Sequence, residues 1–171
     1  MRSNKPYTNV TFTKRVDHVA GSHRPPKAPH GSVVCQACGA VFIRRRWVAA
    51  GTPNARLTAR SGPIVRATCE ACRMVAEGTW RGELRVSGEF FATHHEDIEH
   101  LLRNEVARSL ADNPLARIVK WTPSGPSGLT VTTTTEHLAK RLGHALRKAF
   151  DGTVHYEFSH ENKFAHVSWK R

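Results

Sequence analysis

The 171-residue chain is short of acid: 14 Asp and Glu stand against 26 Lys and Arg, a formal net charge of +12. It also has no apolar run near the ~18 to 20 residues that a membrane-spanning helix needs. The opening Met1-Arg2-Ser3-Asn4-Lys5-Pro6 has no apolar stretch behind it, so no secretory signal and a cytoplasmic location are expected. Hydrophobic residues make up 39% and aromatics 8%, so part of the chain is expected to lie outside a packed core. The length suits one medium domain or two small ones. Catalytic signatures are missing too. There is no Ser-His-Asp order, phosphate loop or dinucleotide fingerprint, and the chain is expected not to be an enzyme. The nearest approach to a catalytic motif is His95-Glu96-Asp97-Ile98-Glu99-His100. A metalloprotease helix needs its second histidine where Glu99 stands, and His100 points about 100° further round the helix. A solvated helix start is the better reading. His155, His160 and His166 read as surface or core-edge residues of a closing hairpin.

The charge that is present is uneven. Residues 1–82 hold 14 Lys and Arg against 3 Asp and Glu, a net +11, whereas residues 83–171 hold 12 against 11, a net +1. A block at +11 repels itself unless a polyanion neutralises it, and nucleic acid is the commonest such partner. Residues 1–30 combine six of these cations with Pro6, Pro25, Pro26 and Pro29 and show no apolar period, which predicts a flexible basic arm.

All four cysteines fall in residues 31–82, as Cys35-Gln36-Ala37-Cys38 and Cys69-Glu70-Ala71-Cys72. Disulfides fit poorly without a secretory signal, and a thioredoxin-like motif needs one such pair at a helix start, with no use for a second. Two pairs that leave no cysteine over fit one structural zinc ion in a four-cysteine zinc ribbon, with Gly39 giving the first turn its positive φ. A closed shell of four thiolates has no open position for an activated water, so the metal is read as structural. Between the pairs lie Arg44, Arg45, Arg46, Arg56, Arg60 and Arg66, with no acidic residue to pair them. Together with Lys14 and Arg15 they are the candidate nucleic-acid contacts, since arginine offers forked donors to phosphate. Trp47 is assigned to the small core in preference to a base-stacking role.

From residue 83 the hydrophobic period becomes regular. A strand is expected over Leu84–Phe90, then a helix opened by a capping box at Thr93 and Glu96 and stopped at Asn113-Pro114. Strands over Ala116–Trp121 and Leu129–Thr134 flank a Pro/Ser/Gly turn, and a second helix covers Glu136–Phe150 up to Asp151-Gly152. Strands over Val154–Ser159 and Phe164–Trp169 form the closing hairpin. The expected fold class is α+β. The zinc ribbon is followed over residues 83–171 by a ferredoxin-like β-α-β-β-α-β sandwich with an extra C-terminal strand. RNA-recognition domains share that order and stack bases on sheet aromatics. The strand Leu129–Thr134 has none, and Phe90 and Phe91, being consecutive in a strand, would face opposite ways. This half is therefore expected to dock or scaffold.

A wider set of residues carries a family resemblance. Cys35-Gln36-Ala37-Cys38-Gly39-Ala40-Val41, Arg46-Trp47, Cys69-Glu70-Ala71-Cys72, Arg103-Asn104-Glu105, Asn113-Pro114-Leu115, Thr132-Thr133-Thr134 and His137-Leu138-Ala139 with Arg141 resemble short bacterial zinc-ribbon proteins. These are distantly similar to the N-terminal part of the nonsense-mediated-decay-three adaptors of archaea and eukaryotes. The resemblance implies a ribosome or rRNA partner. A zinc-ribbon module for an acidic protein surface, or for DNA, in transcription or stress control is the alternative.

Overall fold

The computed structural model describes residues 32–60, 62–159 and 164–171. The basic arm, with Lys14 and Arg15, lies outside them, as does His160. Four short strands form the first sheet: β1 (Ser32–Cys35), β2 (Val41–Ile43), β3 (Arg46–Val48) and β4 (Ile64–Ala67), in the order β3-β2-β1-β4. β1 and β4 are parallel, which requires a crossover. Helix α1 (Pro53–Arg60) lies in that crossover and packs on β1 and β2. Pro53 fits the first helical position, whose N–H would be unsatisfied anyway. Thr52 caps the helix, its hydroxyl accepting from the Ala55 amide at 3.3 Å. The strand period sorts the side chains. Val33, Phe42, Trp47 and Val65 are register partners on one face, with Cys35 two residues on from Val33. That face is the small core, closed by Cys69 and by Ala71 of α2 (Glu70–Glu77). Trp47 is buried with its ring 5.3 Å from Phe42, so its core assignment holds.

The second sheet contains β5 (Gly82–Ser87), β6 (Ile118–Pro123), β7 (Gly128–Thr133), β8 (Thr153–Ser159) and β9 (Phe164–Lys170), with α3 (Glu89–Asp112) and α4 (Glu136–Phe150) between strands. The chain is thus α+β, with two mixed sheets. The last strand is not appended at an edge. The order is β6-β7-β5-β9-β8, and β9 inserts beside β5, parallel to it. Burial decides the placement. Ala165, Val167 and Trp169 of β9 are all buried, whereas Thr153, His155 and Glu157 of β8 are exposed, and a polar strand is suited to an edge.

One face of this sheet presents Leu84, Val86, Leu129, Val131, Val167 and Trp169 to Ile98 and Leu102 of α3 and Leu138, Leu142 and Leu146 of α4. Each such side chain contributes about 1.5 to 3 kcal/mol on burial. Helix α4 has the bounds its sequence predicts, with Thr135 capping Leu138 N at 3.2 Å. The threonine run before it satisfies backbone groups: Thr133 Oγ1 donates to Thr135 O at 2.8 Å, and Thr134 Oγ1 accepts from Arg117 N at 2.9 Å.

The start of α3 differs from expectation. The strand stops at Ser87 because Gly88 turns the chain at φ 118°, where a Cβ would collide with the Arg171 carbonyl. Phe90 and Phe91 therefore open the helix. Phe91 is buried, while Phe90 stacks on His94 at 4.0 Å, with the Arg171 guanidinium 4.2 Å from its ring. Thr93 is no cap. Its hydroxyl donates to Phe90 O at 3.1 Å, and His94 leaves helical geometry (φ −126°, ψ 27°), so the motif marks a kink.

Helices α3 and α4 are tied together by Arg141, which donates to Glu105 at 3.0 Å and Asp112 at 3.1 Å, while Arg108 reaches Glu105 at 2.5 Å. Burial alone would raise the Glu105 pKa; hydrogen bonds and charge from Arg141 and Arg108 outweigh it and lower it from 4.5. The stabilisation is complete above the unfolded value near 4.5 and is lost as pH falls through the lower folded value. Because Arg141 is partly solvated, Glu105→Gln is expected to cost about 1 kcal/mol at neutral pH. Urea unfolding should show the deficit narrowing below pH 4.5; a constant deficit would contradict the linkage.

Candidate metal centre

The two cysteine pairs converge. The donor atoms of Cys35, Cys38, Cys69 and Cys72 all lie within 4.8 Å of one another, the group placed to hold a metal ion among the described residues. Cys38 and Cys69 sulfurs are 3.8 Å apart, which matches the ~3.8 Å edge of a tetrahedron built on metal–sulfur bonds of ~2.3 Å. Local structure accounts for the convergence. At the end of β1, Cys35 N donates to Ala40 O at 2.7 Å and Gly39 N to Cys35 O at 2.8 Å, closing a tight turn with Gly39 at φ 73°. The second pair lies at a helix start. Cys69 is the N-cap of α2, its sulfur accepting from Cys72 N at 3.4 Å, and its own amide donates to Cys35 Sγ at 3.3 Å. The physical reason is in the sequence. Glu70-Ala71-Cys72-Arg73-Met74-Val75-Ala76-Glu77 is rich in helix formers and is followed by Gly78.

The thiols do not share one tendency to ionise. Burial opposes charge on Cys35, but amides of Cys69, Cys38 and Ala37 aimed at its sulfur prevail and lower its pKa to about 6. Burial raises Cys69, and burial together with neighbouring sulfurs pushes Cys72 up to about 11. Four thiolates at this spacing need a cation to neutralise them, and a bound divalent ion reverses the preference for the thiol.

The candidate arginines occupy the β2–β3 turn, the far face of the sheet and α1. Arg44 and Arg45 are the whole loop between β2 and β3, where Ile43 pairs with Arg46, and both have positive φ (46° and 67°). That is the geometry of a type I′ turn, which selects Asn-Gly, so each arginine is held against its backbone preference by about 1 kcal/mol. Arg46 and Arg66 alternate with Trp47 and Val65, so they project from the sheet face opposite the metal centre, the face on which α1 packs. Arg56 is exposed on α1. Arg60 belongs to the same helix, and its side chain lies outside the described part. None of Arg44, Arg45, Arg46, Arg56 and Arg66 has an ion-pair partner among the described residues. The strained turn was not recognised from sequence. Its signal is two short strands, Val41-Phe42-Ile43 and Arg46-Trp47-Val48, flanking two residues that carry no turn chemistry.

With so small a core, residues 32–77 are expected to depend on an ion held by the four cysteines. Purification under reducing conditions should give about one metal ion per chain. Chelation, or Cys69→Ser, should collapse the amide resonances of residues 32–77 while those of the Leu84–Trp169 core persist; retention of both sets would contradict a structural metal.

The chain matches no protein-family model and no curated protein.

Proposed function

We propose that the protein is a zinc-stabilised, non-catalytic RNA-binding protein that acts on rRNA or the ribosome. Four thiolates in a tetrahedral, closed set are the donor chemistry that suits zinc, which would hold β1 and α2 together. The larger unit is read as a ferredoxin-like sandwich extended by β9, because it keeps the β-α-β-β-α-β order with both helices on one face of the sheet. Its role would be to orient the metal unit.

The observation that carries the RNA reading is the Arg44-Arg45 turn. Two residues that the turn disfavours stand at the tip of the β2–β3 hairpin, in a segment from Ser32 to Ala67 that contains no acid at all. Strain kept at one point is accounted for by what the side chains do, and forked cations without partners suit phosphate. The resemblance to ribosomal adaptors directs the RNA reading to the ribosome.

The turn supplies its own control. Replacing Arg44-Arg45 with Asn-Gly fits the turn better while removing both cations, so the thermal midpoint should stay or rise. Binding to an rRNA fragment should weaken, with the log–log salt slope shallower by about 2. Sedimentation should show native protein with ribosomal particles and the double variant displaced from them. Affinity that is flat in salt, or unchanged in the variant, would contradict the reading; preference for duplex DNA or an acidic protein would replace it.

A further inference from the structure

The larger sheet has a second face, away from α3 and α4. Period-two alternation places Glu83, Arg85 and Ser87 of β5, Thr130 and Thr132 of β7, and Phe164, His166, Ser168 and Lys170 of β9 on it. Leu129–Thr134 offers no ring to this face, but the central position of β9 turns Phe164 and His166 outward. Their rings lie 4.6 Å apart, and the His166 side chain is 54% exposed.

Two further features share this face. Buried Glu83 has its Oε1 2.5 Å from Arg85 Nε and 3.7 Å from His166 Nδ1, so its carboxylate lies beside both side chains. Two residues beyond His166, about 7 Å along the strand, Ser168 enters a depression that Arg85, Ser87, Ser124, Ser127 and Thr130 also line. Five hydroxyls and a guanidinium make a lining suited to phosphate. Lys170 adds a cation beside Ser87, while the acids on the face are Glu83, engaged by Arg85, and Glu157, which pairs with His166 in the strand register. The face is also continuous with the metal unit: Arg81, two residues before Glu83, ion-pairs with Glu70 of α2 at 2.7 Å.

We propose that this face binds a nucleotide of single-stranded RNA, its base on the Phe164–His166 rings and its phosphate in the depression against Arg85, Ser87 and Ser168. The inference rests on the RNA reading above and adds the class of RNA: an unpaired segment running from the arginine hairpin across the sheet. Base stacking on rings is sequence-tolerant, because every base has a π-face.

The test is NMR titration of the isotope-labelled full chain with a uridine hexanucleotide. Expected are shifts at 85, 124–130 and 164–168 as well as at 44–66, and about tenfold weaker binding in His166→Ala. Ser168→Glu, an exposed strand position, should weaken binding similarly through repulsion of the phosphate without disturbing the core. Shifts confined to 44–66, native affinity in both variants, or no binding of the oligonucleotide would overturn the sheet site. Shifts on the sheet with none at 44–66 would support it and overturn the arginine hairpin instead.

Discussion

Four sulfurs brought within 4.8 Å of one another are the constraint on which the smaller unit depends. Without a cation they conflict: amides draw Cys35 toward thiolate, while burial holds Cys69 and Cys72 toward thiol. A metal ion bound by them would remove the conflict and fix the end of β1 to the start of α2. Everything between Cys38 and Cys69 is then a loop excursion with defined ends, folded as β2, β3, α1 and β4. A sheet of strands three and four residues long, resting on a core of few side chains, has little else to hold it.

That anchoring gives the arginine turn its significance. A free hairpin with two L residues at positive φ would relax by fraying. Here β2 continues from the metal turn, and β3 packs Trp47 against Phe42 on the metal side, so the strain is held by the core beneath it. The same alternation that buries Trp47 sends Arg46 to the opposite face. Core and cationic surface are two readings of one period-two pattern. The larger unit contributes near-neutral mass and, through Arg81 and Glu70, a fixed position beside α2.

Elements governed by local chemistry were the legible ones. Helix α4 has the bounds its sequence predicts, because Leu138, Leu142 and Leu146 keep one period and Asp151-Gly152 ends it. The cysteine grouping was legible from spacing alone. Elements decided by distant partners were not. Nothing in Phe164–Lys170 itself says that it will lie between β5 and β8; that follows from which strand has the more apolar face. The start of α3 was misread because Thr93 and Glu96 have capping-box spacing, while the deciding contact, Phe90 to the Arg171 carbonyl, spans the whole unit. Thr52-Pro53 and the helix formers after Cys69 were signals for α1 and α2 that the ribbon expectation left unused.

If a bound metal presents the arginines to RNA, RNA affinity must follow metal occupancy in one preparation, stripped and then reloaded with zinc. Affinity for an rRNA fragment at moderate salt should fall on stripping, rise in proportion to occupancy and return on reloading. Equal affinity in the stripped and loaded protein would contradict it.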